Sequence, residues 1–232
     1  MKIVTFNLQN DLIKETIDKK ELLINFIKME NPDIICFQEL NFKLKKYIEE
    51  NIQNYIIVGT SRYQTNSFID EYNSILIKKD IDLLETKTFP LYKRFKHDFF
   101  SVFPRICTYV KLKKANQTFQ IYNTHLDHLF NYTRKHQLQI LKKRLKHHED
   151  IPTIITGDFN MTKNNPNLKD FLESKLINIG SSLTKSTLKY IHHLPIDFII
   201  ISKNIKCQSI NIDRNTHISD HYPLIAHLKL NS

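Results

Sequence analysis

The chain is poor in the residues that build special scaffolds: its 232 residues include only 3 Cys, 3 Gly and 7 Pro. The cysteines, Cys36, Cys107 and Cys207, are odd in number, far apart and each set in an apolar run. That pattern excludes a disulfide frame or a zinc site and predicts buried, reduced thiols. The glycines and prolines are scattered and no repeat or low-complexity tract is present, which excludes a solenoid or a tether; one domain spanning residues 1–232 is expected. No apolar stretch approaches the roughly 20 residues of a membrane span. Lys2 is followed directly by the strand-like Ile3-Val4-Thr5-Phe6 and then Asn7, so no signal-peptide apolar region fits. A cytoplasmic location is expected, and with no protein partner implied, a monomer.

Charge is abundant and unevenly placed. The formal net charge is +10. Residues 91–114 hold seven Lys/Arg against one Asp, and residues 131–148 hold six against no acid, so the rest of the chain is close to neutral. Such segments attract a polyanion through counterion release and a long-range field, and nucleic acid is the expected partner.

Periodicity predicts a strand over 2–8 and a helix over 18–30, with Leu22, Leu23, Phe26, Ile27 and Met29 at helical spacing before Asn31-Pro32 stops it. Ile34-Ile35-Cys36-Phe37 is a continuous apolar run of the kind found in strands covered on both faces. A helix over 41–51 and strands near 55–58, 73–78, 81–88, 105–112 and 118–124 follow. The clearest helix is 131–147, where Leu138, Leu141 and Leu145 share a face that Arg134 continues. Strands at 152–156, 196–202, 206–212 and 223–229 close the pattern around a poorly patterned loop from about 161 to 190. Two packed sheets covered by helices account for this mixture.

Polar residues recur where these strands end. Asn7 ends the first, Glu39 follows Phe37-Gln38, His125 ends Phe119-Gln120-Ile121-Tyr122, and Asp158 and Asn160 follow Thr153-Ile154-Ile155. Asp197 opens Phe198-Ile199-Ile200-Ile201, and Asp220-His221 precedes Tyr222-Pro223. Taken singly, such an Asp or Asn is ordinarily a turn or helix cap. As a set they are carboxylates, amides and imidazoles with no candidate Ser or Cys nucleophile, and their oxygen atoms suit Mg²⁺.

Phe6-Asn7, Phe37-Gln38-Glu39, Thr124-His125-Leu126, Gly157-Asp158-Phe159-Asn160, Ile196-Asp197-Phe198 and Ser219-Asp220-His221-Tyr222-Pro223 together resemble the ordered motifs of the endonuclease/exonuclease/phosphatase superfamily, which includes DNase I. The resemblance implies an α/β four-layer sandwich, two mixed sheets face to face with helices outside. It implies hydrolysis of a phosphoester by an activated water, with Mg²⁺ as cofactor and Mn²⁺ as a substitute. Glu39 matches the principal metal carboxylate, with Asn7 and Asp220 assisting. Asp158 would activate the water and Asn160 would hydrogen-bond it or a phosphate oxygen. His221, held by Asp197, would contact the scissile phosphate, and His125 would donate to a non-bridging oxygen. The His at position 125 and the absence of an Asn-Gly pair after Asn7 are more similar to the DNase I-like branches than to the exonuclease III type.

Arg105, His128 and Arg134 are further candidates for binding substrate phosphate, with a helix-anchoring salt bridge as the other reading of Arg134. Asn73, in Asn73-Ser74-Ile75-Leu76, resembles an asparagine that positions a phosphate. A phospholipid or small phosphate ester would use the same core; exposed apolar residues at Phe99-Phe100 and Val102-Phe103 would favour that reading. A non-catalytic binding module would be expected to lack Glu39, Asp158 or His221, and all three are present.

Overall fold

Strands that are apolar on both faces need cover on both sides, and the chain supplies it. The computed structural model describes residues 1–10, 17–65, 70–92, 101, 103–145, 150–172, 175–189 and 195–230. In chain order the elements are β1 Lys2–Asn7, α1 Ile17–Glu30, β2 Ile34–Gln38, β3 Leu40–Asn41, α2 Phe42–Asn51, β4 Tyr55–Val58, β5 Glu71–Tyr72, β6 Ile75–Lys78, β7 Asp82–Pro90, β8 Ile106–Lys114, β9 Gln117–His125, α3 Asn131–Leu145, β10 Thr153–Asp158, α4 Pro166–Leu172, β11 Leu176–Asn178, β12 Asp197–Ser202, β13 Ile205–Ile212 and β14 Leu224–Leu230.

One six-stranded sheet runs β13-β14-β1-β2-β6-β4 and a second runs β11-β12-β10-β9-β8-β7. Each contains one parallel pair, β1 with β2 and β9 with β10, and the remaining neighbours are antiparallel. Parallel neighbours need a crossover, and α1 and α3 supply it, so each sheet is built around a strand-helix-strand unit. Alternation sorts the side chains. Ile3, Ile34 and Cys36 meet Val110, Ile121 and Ile154 between the sheets. Val4, Phe6, Ile35 and Phe37 face α1 and α2, while Tyr122, Ile155 and Phe198 face α3 and α4. Helix, sheet, sheet and helix form the four expected layers.

Polar side chains also join the sheets. Asn123 Nδ2 donates across the interface to the carbonyls of Phe37 (2.8 Å) and Ser74 (3.0 Å), and its Oδ1 accepts from Gln38 Nε2 at 2.7 Å. Gln38 Nε2 also donates to Thr5 Oγ1 at 3.0 Å. Asn123 and Gln38 lie fully buried, two residues before His125 and one before Glu39, so this layer fixes one strand end relative to the other.

Several boundaries differ from expectation. The stretch 161–190 is more ordered than its weak pattern suggests: it holds α4, β11 and a short 3-10 turn at Ile179–Ser182. Leu168 and Phe171 anchor α4, but seven residues are too few to show a helical period. In α1, Leu22 and Met29 face solvent at 49% and 84% exposure, and Ile24 joins Leu23, Phe26 and Ile27 on the buried face instead. Asn31, at φ 42°, ends the helix in the left-handed conformation and donates its N–H to Ile27 O. Cys36 and Cys107 are buried as expected, whereas Cys207 is half-buried on β13, whose outer residues meet solvent. All three thiols are free. Residues 146 and 147 of the expected helix, and Phe99, Phe100 and Val102, lie outside the described residues.

Candidate active site

Parallel pairing brings both strand C-termini to one edge, and both sheets present that edge on the same side. In the first sheet Asn7 pairs with Gln38, which places Glu39 beside it; in the second, His125 pairs with Asp158. β12 runs antiparallel to β10, so it begins where β10 ends and Asp197 pairs with Asp158. β14 runs antiparallel to β1, so the Asp220-His221 segment preceding it arrives at the same rim.

The strand ends are turned by one local device. Asn7 Oδ1 accepts the N–H of Gln9 (2.9 Å) and Asp158 Oδ1 accepts that of Asn160 (2.8 Å), with Gln9 and Asn160 left-handed at φ 49° and 50°. Glu39 is left-handed too, at φ 54°. A non-glycine residue there carries backbone strain of about 1–2 kcal/mol, and such strain gathers where side chains must be aimed.

Asp158 Oδ2 is the focus. It accepts from Asn7 Nδ2 at 3.1 Å and faces His125 Nε2 at 3.6 Å and His221 Nε2 at 3.7 Å. Asn7 Nδ2 also reaches Glu39 Oε1 at 3.2 Å, so one amide bridges the two carboxylates. Glu39 Oε2 accepts the N–H of Asn10 at 2.8 Å, and Oε1 lies 3.7 Å from His125 Nδ1. Burial, and next the Asp197 charge, push the Asp158 carboxyl up to about 7.

The two imidazoles differ in charge. Burial would lower the pKa of His221, but the adjoining Asp197, whose Oδ2 lies 2.8 Å from His221 Nδ1, overrides it and raises the ring to about 10. Burial, then the charges of Arg105 and His221, hold His125 well below 6.5. Its ring is therefore neutral, and its 3.6–3.7 Å approaches to carboxylates are not ion pairs. Asn160 Nδ2 lies 3.1 Å from His125 Nε2 and donates to Leu126 O at 3.0 Å, which casts Nε2 as acceptor and leaves Nδ1–H facing Glu39.

Hard oxygen donors from Glu39 and Asp158 fit a divalent cation of the Mg²⁺ type, whereas the Asn7 amide turns Nδ2 to both carboxylates and gives its Oδ1 to the Gln9 N–H. Another group, Asp158, Asp197 and His221, has ligand atoms within 4.8 Å of one another. There, however, His221 is protonated and bound to Asp197, and an imidazolium offers no lone pair to a metal. Within that trio the hydrogen bond is between His221 Nδ1 and Asp197, and His221 Nε2 lies 3.7 Å from Asp158 Oδ2. Ser219 Oγ donates to the Asp220 carboxylate at 3.2 Å, and the Asp220 N–H reaches Gln9 Oε1 at 3.3 Å.

Other predicted residues form the flank. Arg105 is buried, and its Nη2 contacts His128 Nδ1 at 3.2 Å, which casts that nitrogen as acceptor. Burial and Arg105 both lower the His128 pKa, consistent with a neutral ring. Arg134 Nη1 donates to Asp127 O at 3.0 Å, a structural anchor made to a carbonyl and not to a carboxylate. Asn73 Nδ2 donates to Ile106 O at 2.8 Å and so ties β8 to the first sheet.

Three flanking residues, Glu71, Arg62 and Asp127, had no sequence signal. Glu71 ion-pairs with Arg62 (2.9 Å) and accepts from Asn10 Nδ2 (3.3 Å); burial and then Glu39 raise its pKa. Asp127 lies inside the Thr124-His125-Leu126 segment's continuation, but only the fold shows its buried carboxylate collecting Ser101 Oγ, Leu129 N and Phe130 N.

No curated protein matches the chain. Among solved structures, an endonuclease/exonuclease/phosphatase from Bacteroides vulgatus superposes with a TM-score of 0.84 at 23% identity, covering 99% of this chain and 98% of its own. A mannosyl-6-phosphatase from Bacteroides thetaiotaomicron gives 0.85 at 19%, covering 99% and 100%. TDP2 from D. rerio, complexed with single-strand DNA product, gives 0.81 at 15%, covering 99% and 98%. At such identities the likeness shows the fold. The model of the Endonuclease/Exonuclease/phosphatase family matches residues 4–221, and the chain belongs to that family.

Proposed function

We infer that the protein is a divalent-metal-dependent phosphodiesterase acting on nucleic acid. Members of its family are hydrolases of phosphoesters, and the observation that carries the reading here is the meeting of Asn7, His125 and His221 on one Asp158 oxygen, with Glu39 beyond Asn7. Asp158, steadied by the Asn160 N–H, takes the proton of the attacking water. The imidazolium of His221, oriented by Asp197, donates to the phosphate, and neutral His125 donates through Nδ1 to a non-bridging oxygen. Glu39, its carboxylate fixed by Asn7 Nδ2, would hold Mg²⁺, which when bound stabilises charge building on the phosphate oxygens.

Nucleic acid is supported by the basic segments 91–114 and 131–148, and D. rerio TDP2, of the same fold, is complexed with single-strand DNA product. The contact of buried Arg105 with exposed His128 beside the site favours a second reading, in which a small phosphate ester is gripped by its terminal phosphate. The test is hydrolysis of single- and double-stranded DNA, RNA, a 5′-tyrosyl oligonucleotide, sphingomyelin and inositol phosphates, with Mg²⁺, Mn²⁺ or EDTA and with Asp158→Ala as control. Metal-dependent cleavage of nucleic acid that Asp158→Ala abolishes supports the reading. Cleavage confined to lipid or small phosphates overturns it.

A further inference from the structure

Beside the candidate active site the chain exposes aromatic and apolar side chains that the core has no use for: Phe103 at 38%, Leu129 at 50% and Phe130 at 45%. They are not loosely held. Asp127, 1% exposed, lies 2.9 Å from Ser101 Oγ, which also lies 2.7 Å from Phe103 O, the one hydroxyl proton being shared between the two acceptors. The other oxygen of Asp127 accepts the N–H groups of Leu129 (2.9 Å) and Phe130 (2.8 Å). A single buried carboxylate, two residues beyond His125, thus fastens both turns that carry the exposed side chains. The Arg105–His128 contact at 3.2 Å joins the same two turns.

Phe103 is braced as well. The Arg62 guanidinium lies 4.5 Å from its ring centroid and 5.4 Å from that of Tyr63, and Arg62 is itself ion-paired with Glu71 at 2.9 Å. Its charge bears on His125 and Arg105, which places this stack next to the site. Rigid aromatic faces interleaved with guanidinium and imidazole groups suit a flat π-system joined to an anionic backbone. An exposed Phe103 also meets the expectation for a phospholipid substrate, and it is the Arg62 guanidinium over its ring, with the Arg105–His128 contact beside it, that favours an anionic strand bearing bases.

We propose that Phe103 and the Leu129-Phe130 turn form a stacking rim for unpaired bases flanking the scissile phosphate, so that the enzyme selects single-stranded nucleic acid. This rests on the nucleic-acid reading above. The discriminating substrates are two single-stranded oligonucleotides of equal length, one with bases and one of abasic tetrahydrofuran units, assayed with wild type, Phe103→Ala, Phe130→Ala and Phe103→Tyr. Both alanine changes are at exposed side chains. Each is expected to lower kcat/KM on the base-bearing strand by about tenfold and to leave the abasic strand unchanged, with Phe103→Tyr restoring the preference.

Equal loss on both strands, or loss on neither, overturns the rim and leaves the nuclease reading intact. Wild type that cleaves neither strand overturns both. A parallel co-sedimentation with phosphatidylcholine/phosphatidylserine vesicles covers the other occupant: vesicle binding by wild type that Phe103→Ala and Phe130→Ala abolish overturns the rim in favour of a lipid surface.

Discussion

Individual residues at the strand ends have no slack. Gly157, at φ 140°, precedes Asp158, and a Cβ there would sit 1.8 Å from Thr124 O, a backbone atom of the paired strand. Gly157→Ala is expected to cost about 3 kcal/mol or more, measured by denaturant unfolding; a loss within ~0.5 kcal/mol, as for an ordinary surface change, would refute this account of the turn. Asp70 offers a pH test. It is buried, and although burial raises its pKa, hydrogen bonds from Ser61 Oγ (2.7 Å), Tyr63 N (2.9 Å) and Thr65 N (2.8 Å) win, leaving the carboxyl below 3.8. A depressed carboxyl stabilises the fold above its unfolded pKa and loses that contribution as pH falls through its folded value. The melting-temperature gap between wild type and Asp70→Asn is therefore expected to hold from neutral pH to about 4.5 and to narrow below ~3.8. A gap unchanged down to pH ~2.5 would count against it. At this scale Glu39, His125 and Asp158 were legible because each stands where an apolar run ends, and His221 because it stands just before one begins. Glu71, Arg62 and Asp127 were not, since their partners are brought to them by the tertiary fold.

At the scale of elements, parallel pairing does the positioning. β1/β2 and β9/β10 each deliver two chain ends to one edge, and the antiparallel β12 and β14 add their beginnings there. The continuous runs Ile34-Ile35-Cys36-Phe37 and Phe198-Ile199-Ile200-Ile201 announced strands covered on both faces. The order of strands was not legible, because pairing depends on residues far apart in sequence. The Asn123 layer was hidden for the same reason: Asn123 and Gln38 are 85 residues apart. Asn123→Ala would take one donor each from the carbonyls of Phe37 and Ser74 and one acceptor from the Gln38 amide, which keeps Thr5 Oγ1. A loss of about 2–4 kcal/mol of stability is expected, together with a fall in kcat from the shifted Glu39. Unfolding and kinetics on the one purified variant check both, and an unchanged stability would show that the sheets do not depend on this layer.

Over the whole molecule, two sheets face each other so that their rims meet, Asn7 and Glu39 coming from the first sheet and His125, Asp158 and Asp197 from the second. No described helix is long and apolar enough to cross a membrane. Charge distribution was legible in sequence as two basic segments, but which face they occupy was not, since helix and strand turn neighbouring residues to different sides.

The claim that these strand ends act as one hydrolytic site is tested most directly by kcat/KM for bis(p-nitrophenyl) phosphate with Mg²⁺, comparing wild type with Glu39→Gln and Asp158→Asn, each shown to be folded by its unfolding transition. Each single change is expected to lower kcat/KM by about 10³-fold, and the double variant by little more, as for groups that work as a unit. Activity within about tenfold of wild type in either folded single variant would contradict it.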